Sequence, residues 1–228
     1  MEIRQLIDKI EDNTLRTRIL NLIEDPNIRI GENTYRGLPL DTSPASRRLH
    51  HSYEGGLKEH TVSSSRIALT LCDIVEQTYH ANVNRDVVLA SIIVHDIMKP
   101  LTYSTNEEEL YHSSQLGEKM DHLTLIVSKL IEKGFPLEVV HAVAAHHGDH
   151  GPISPRTVEA LICNLSDYAD AALNGEVLKA AKLHIERCTG DHVEHLDAEQ
   201  AFAVVNAKQY GGCDGVKRIF EKIKAEKA

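Results

Sequence analysis

Tryptophan is absent from this 228-residue chain, and phenylalanine occurs three times. The stacked aromatic platforms that hold single-stranded nucleic acids therefore have little to be built from. Basic residues are outnumbered, 25 against 34 acidic ones, for a formal net charge of −9. Such a surface repels a phosphate backbone overall, which weighs against a general nucleic-acid coat and leaves room only for a local basic pocket. No apolar run is long enough to cross a bilayer, and the N-terminal residues lack the apolar stretch of a signal peptide. A cytoplasmic protein without membrane association is expected. The four cysteines (Cys72, Cys163, Cys188 and Cys213) are far apart and form no C-x-x-C pair. They read as reduced, mostly buried small hydrophobes.

Histidine, by contrast, is abundant, at 14 residues. It is the commonest metal ligand and the side chain that titrates near neutrality. Most of the chain has helical periodicity. Ile3, Leu6, Ile7 and Ile10, then Leu15, Ile19, Leu22 and Ile23, recur three and four apart before Pro26. From Asn27 to Gly56 the pattern fails, and a long irregular segment of this kind inside a compact domain is functional or a tether. Helices are expected over 57–79, 87–97, 113–133, 136–146 and 155–173, the last stopped by Asn174-Gly175. Three weaker helices follow, near 176–187, 197–207 and 213–226, and no strand of any strength is expected. The fold class is all-α, a helical bundle forming one domain. Residues 1–43 are its lead-in, 44–175 its core, and 176–228 a set of extra C-terminal helices. These last helices are free to cap a pocket or to form a homo-oligomer interface.

The apolar helix Leu89-Ala-Ser-Ile-Ile-Val-His95-Asp96-Ile-Met-Lys99 ends on three ionisable side chains. Burying them is costly unless the charges are paired or bound to a cation. His95 and Asp96 lie about 100° apart around a helix, so both reach one cation only at its end. The two oxygens of Asp96 could also bridge two ions. Lys99, three residues on, could hold a phosphate oxygen. From the doublet alone, a metal site and a plain buried His–Asp hydrogen bond weigh evenly. His60, His122, His146, His147, Asp167 and Asp170 fall on separate helices, and nitrogen donors with hard carboxylates from a bundle suit a divalent transition metal.

The order His60 … His95-Asp96 … His122 … His146-His147 … Asp167 resembles the HD-domain superfamily of metal-dependent phosphohydrolases. Gly55-Gly-Leu-Lys-Glu-His60-Thr and His95-Asp-Ile-Met-Lys99 match its first two motifs. The resemblance implies a bundle fold and metal ligands His60, His95, Asp96, His122, His146, His147 and Asp167. One ion needs His60, His95, Asp96 and Asp167 only; the surplus favours two ions bridged by Asp96. Fe²⁺ or Mn²⁺ is preferred over Co²⁺, Ni²⁺, Zn²⁺ or Mg²⁺. The reaction implied is phosphodiester hydrolysis by metal-activated hydroxide, with Asp96 and Lys99 catalytic.

Arg47, Arg48 and His51, from the irregular segment, are expected to bind the substrate phosphate together with Lys99. His147 is an alternative substrate contact, and Asp170 a hydrogen-bond partner of a ligand. His50, His112, His141, His150 and His184 read as surface or core decoration. His192-x-x-His195 could chelate a surface ion outside the matched core. Residues 43–60 are similar to the HD domain of bacterial 3′–5′ exoribonucleases. Length and charge are closer to the archaeal cyclic phosphodiesterases that open 7,8-dihydroneopterin 2′,3′-cyclic phosphate. A small phosphorylated substrate is therefore expected before RNA, and a nucleotide-sensing module without turnover is disfavoured by the full ligand set.

Overall fold

Asn84 opens the central helix by accepting a hydrogen bond from the Val87 amide, and every residue from Val87 to Val94 is buried. The near-continuous apolar sequence of this helix is what a helix surrounded on all sides requires. The computed structural model describes residues 2–106 and 111–226. In chain order the helices are α1 (Ile3–Ile7), α2 (Asn13–Glu24), α3 (Gly56–Gln77), α4 (Arg85–Val94), α5 (Lys99–Thr102), α6 (His122–Glu132), α7 (Leu137–Ala144), α8 (Val158–Thr189) and α9 (Ala198–Glu226). The α4 helix packs against α3, α7 and α8, and α8 packs along α9. One apolar core lies under α1, α2, α4, α6 and α7, a second is shared by α3, α4, α7 and α8, and a third seals α8 to α9. No helix of the described residues is long and apolar enough to cross a membrane.

The all-α reading holds for the bundle, with two corrections of detail. Two antiparallel hairpins are present, β1 (Asn27–Ile30) with β2 (Asn33–Arg36), and β3 (Tyr103–Thr105) with β4 (Tyr111–Ser113). Each strand has three or four residues, and in the first hairpin only Ile28 is buried, so no alternation develops for a pattern to detect. The second correction concerns helix ends. The α6 helix begins at His122, capped by Asp121, rather than near Ser113. The α8 helix runs straight through Asn174-Gly175 to Gly190, crossing the expected 175/176 boundary. Asn174 does not cap a helix: its side chain reaches across to the 51–53 segment. The α9 helix is broken in its backbone at Gly212, with φ 57°.

The cysteine expectation is half right. Cys72 and Cys163 are free and buried. Cys188 and Cys213 form a disulfide that ties the last turn of α8 to α9. Twenty-five residues separate them in sequence, and only the antiparallel packing of the two helices brings them together.

Candidate metal centre

His95 and Asp96 stand just beyond the last turn of α4, at the helix end where both can face one point. His60 comes from the second turn of α3. That helix starts at Gly55-Gly56, where Gly55 takes φ 75° and a Cβ on Gly56 would collide with the His51 carbonyl at 2.2 Å. Asp167 and Asp170 are one turn apart on α8, His122 is the first residue of α6, and His146-His147 follow α7. The ligand atoms of His60, His95, Asp96 and Asp167 form one group close enough to share an ion, and those of His122, His146 and His147 form another.

Asp96 faces both groups. Its Oδ2 lies 3.3 Å from His95 Nε2 and 3.5 Å from His60 Nε2, and its Oδ1 lies 3.3 Å from His122 Nε2 and 3.8 Å from His146 Nε2. Asp167 Oδ1 adds contacts of 3.1 Å to His60 Nε2 and 3.6 Å to His95 Nε2. Three imidazoles are fixed by their other nitrogen. His95 Nδ1 donates to the Ile92 carbonyl at 2.8 Å, His146 Nδ1 to the Val143 carbonyl at 2.7 Å, and His60 Nδ1 to Asp170 Oδ2 at 2.6 Å. All three therefore present Nε2 to the centre, the tautomer a ligand needs. Asp96 Oδ1, His122 Nε2 and His146 Nε2 are buried and accept no hydrogen bond from any described residue. Unpaired acceptors converging in a dry interior are costly, and a divalent cation satisfies them together. The donor set fits a transition metal.

Behind His60 runs a second row. Asp170 Oδ2 also bonds His51 Nε2 at 2.9 Å, His51 Nδ1 meets the Tyr53 hydroxyl at 2.8 Å, and Tyr53 donates to Glu59 at 3.0 Å. Asn174 accepts the His51 amide at 2.6 Å and donates to Tyr53. These bonds hold His51 in a left-handed backbone, φ 44°, that a non-glycine residue rarely adopts.

Residues 57–172, half of the chain, match the HD domain family. The chain belongs to that family. It is 38% identical over 178 residues to the dihydroneopterin 2′,3′-cyclic phosphate phosphodiesterase of Methanocaldococcus jannaschii, covering 78% of this chain and 71% of that one. It is 32% identical over 152 residues to the 3′-5′ exoribonuclease YhaM of Listeria monocytogenes, covering 61% of this chain and 46% of that enzyme. The YhaM of Bacillus pumilus is 27% identical over 178 residues, 73% of this chain and 52% of the enzyme. This chain thus spans about half the length of those exoribonucleases. No solved structure matches it.

Protonation divides the HD site into two halves. Burial pushes His122 down to about 4 and His146 well below the usual imidazole range, and lowers His147 as well. These rings are neutral, the form that binds metal. Burial opposes charge on His95 and His60 too, but Asp96 and Asp167 outweigh it at His95, raising it to about 10, and Asp167 and Asp170 outweigh it at His60. The carboxylates that attract a proton there would equally attract a cation in its place. Burial also resists ionisation of Asp96, yet His95 and then Lys99 hold its carboxyl well below the ordinary value. Lys99 Nζ is 2.5 Å from Asp96 Oδ2, and that attraction raises its pKa against the opposing effect of burial.

The remaining expected residues fall in different places. Arg47 is exposed and donates to Ser113 Oγ at 2.9 Å, pinning the irregular segment to β4. Arg48 is exposed and lines a separate cavity beside α8. His51, expected on the phosphate, is 2% exposed with both ring nitrogens engaged, so it positions Asp170 and has no nitrogen left for a substrate. The same bonds rule out an ion shared by His50, His51 and His60, although their ring nitrogens are close. His50, read as decoration, has its ring 5.1 Å from that of His60, and its buried Nδ1 has no hydrogen-bond partner among the described residues. Tyr53 and Asn174 carried no sequence signal as site residues: neither is a ligand type, and they meet each other across 121 residues.

Proposed function

We propose that this HD-domain protein is a metal-dependent phosphodiesterase that opens a small cyclic phosphodiester, such as 7,8-dihydroneopterin 2′,3′-cyclic phosphate, and works in the cytoplasm. One ion would be held by His60, His95, Asp96 and Asp167, and a second by His122, His146 and His147, with Asp96 between the two groups. Fe²⁺ or Mn²⁺ suits this mixture of imidazole and carboxylate. The observation that carries the reading is Asp96, whose two oxygens turn to two separate imidazole groups. The choice of a cyclic phosphate is supported by the Methanocaldococcus jannaschii relative, of which this chain covers 71%, against 46% for the Listeria exoribonuclease.

When bound, the metal pair supplies Lewis acidity toward the phosphoryl oxygens and acidifies water near neutral pH. Lys99, held charged by Asp96, offsets negative charge on a non-bridging phosphoryl oxygen. Arg47, exposed on the irregular segment and bonded to Ser113, would hold the substrate's phosphate as it enters. Tyr53, His51 and Asp170 keep the His60 ring from turning. Ring opening forms one P–O bond to water and breaks one ester bond, leaving a phosphomonoester and a free hydroxyl.

A nuclease acting on short single strands is the second reading, favoured by the 32% identity to the exoribonuclease over 61% of this chain. The test offers chelated protein, reloaded anaerobically with Fe²⁺ or Mn²⁺, a cyclic phosphate, an acyclic diester and a short RNA. Opening of the cyclic phosphate, insensitive to moderate salt and with RNA intact, is expected. Trimming of RNA from its 3′ end, weakening steeply with salt, would replace this reading with the second.

A further inference from the structure

The ligand residues of the centre are not equally enclosed. His60 and His95 are 0% exposed and Asp96 and His146 1%, whereas the His122 and Asp167 side chains are 18% and 16% exposed. The centre is therefore reached past His122 on one side and past Asp167 on the other. A cavity of about 830 Å³ opens on the first side, with His122 and His147 in its wall and Val127, Ser128, Ile131 and Ile153 around it. Its volume lies within the roughly 300–1,000 Å³ of small-molecule clefts. Among the described residues no lysine or arginine lines it, so it offers a second phosphate no permanent positive charge. Ile131 and Ile153 are 64% and 39% exposed, apolar surface left uncovered beside a polar centre. At its edge Asp121 caps α6 through both carboxylate oxygens, bonding Thr124 N and Thr124 Oγ1. Each oxygen keeps a second lone pair able to accept an N–H.

By contrast, the cavity beside Arg48, of about 700 Å³, is lined by Lys179 and Lys182.

We propose that the cavity beside His122 and His147 is the subsite for the uncharged, N–H-bearing heterocycle of the phosphodiester substrate, with Val127, Ile131 and Ile153 against its faces and Asp121 at its edge. This rests on the phosphodiesterase reading and adds what selects the substrate. The cavity shares a wall with the metal centre, so a group seated in it stays within a short linker of the phosphorus. Binding energy gained there raises the effective concentration of the ester at the metals.

Two exposed wall residues away from the metals provide the test. Ser128→Trp fills the cavity, and Ile153→Ala removes part of its apolar side. The quantity measured is the ratio of kcat/KM for a heterocycle-bearing cyclic phosphate to that for glycerol 1,2-cyclic phosphate, which has no ring to seat. Ser128→Trp is expected to lower that ratio about tenfold or more and Ile153→Ala about threefold, both through KM, in the range set by apolar pocket contacts. An unchanged ratio, or equal losses on both substrates, overturns the subsite. A second measurement is independent of turnover. Equilibrium dialysis of 7,8-dihydroneopterin against each protein, read in the protein-free chamber, measures binding with no contribution from protein fluorescence. Binding to the wild type that Ser128→Trp abolishes supports the subsite even if no cyclic phosphate is opened, in which case only the phosphodiesterase reading fails. Binding unaffected by Ser128→Trp, or no binding, overturns the subsite while leaving that reading intact.

Discussion

Asp170 Oδ2 sits 2.6 Å from His60 Nδ1 and 2.9 Å from His51 Nε2, so a single buried oxygen anchors two imidazoles. Burial alone would raise the Asp170 carboxyl, but the hydrogen bonds from His51 and His60 hold it below its ordinary value. It is therefore an anion, and a better acceptor for both rings. Asp170→Ala is expected to weaken metal binding about 10- to 100-fold, with the fold intact by circular dichroism. Competition with a chromophoric chelator measures it, and wild-type affinity would remove Asp170 from the positioning row.

In the proposed reaction Lys99 offsets charge and does not retain metal. Lys99→Ala is expected to keep its metal and to lose about a hundredfold in turnover, as when one preorganised donor is removed from a developing charge. Metal analysis beside steady-state kinetics separates the two effects. Unchanged kinetics would take Lys99 out of the reaction.

The disulfide concerns stability at the far end of α8. Closing the 25-residue separation between Cys188 and Cys213 contributes about 3 kcal/mol through loop entropy. Reduction, or Cys188→Ser, should lower the Tm by about 6–12 °C for a chain of this size. Differential scanning fluorimetry with and without reductant measures it, and equal Tm values would contradict a formed bridge.

Cys72 and Cys163 give a pH dependence of known sign. Burial pushes the Cys72 thiol up to about 11 and Cys163 well above its ordinary value. Both folded-state values lie above the unfolded one, so these thiols contribute stability that is complete below about pH 9 and is lost as pH rises toward the folded values. Urea midpoints should fall between pH 9 and 11, and a thiol reagent at pH 8 should label neither residue until the protein unfolds. Rapid labelling of the native protein would contradict this.

The parts of the site legible in the sequence were the local ones. His95-Asp96 at the end of an all-apolar helix signals itself, because such charges need a partner, and the spaced histidines of separate helices complete the pattern. Of the row behind them only Asp170 was legible, as the hydrogen-bond partner of a ligand; His51, Tyr53 and Asn174 were not legible in that role. His51 and Asn174 are 123 residues apart and Tyr53 and Asn174 are 121 apart, and a tyrosine or asparagine carries no signature of its partner. Asn174-Gly175 reads as a helix stop on local propensity, yet α8 continues because packing on α9 outweighs it. The two hairpins were missed because strands of three or four residues are too short to show a period.

The most direct test of the metal centre is metal content per folded chain in the wild type, His122→Ala and Asp96→Ala after anaerobic loading and desalting. Two equivalents are predicted for the wild type, from the two ligand groups that Asp96 faces. His122→Ala should retain one equivalent, and Asp96→Ala should lose both along with all turnover. A folded Asp96→Ala protein that keeps its metal and still opens the cyclic phosphate would contradict the account.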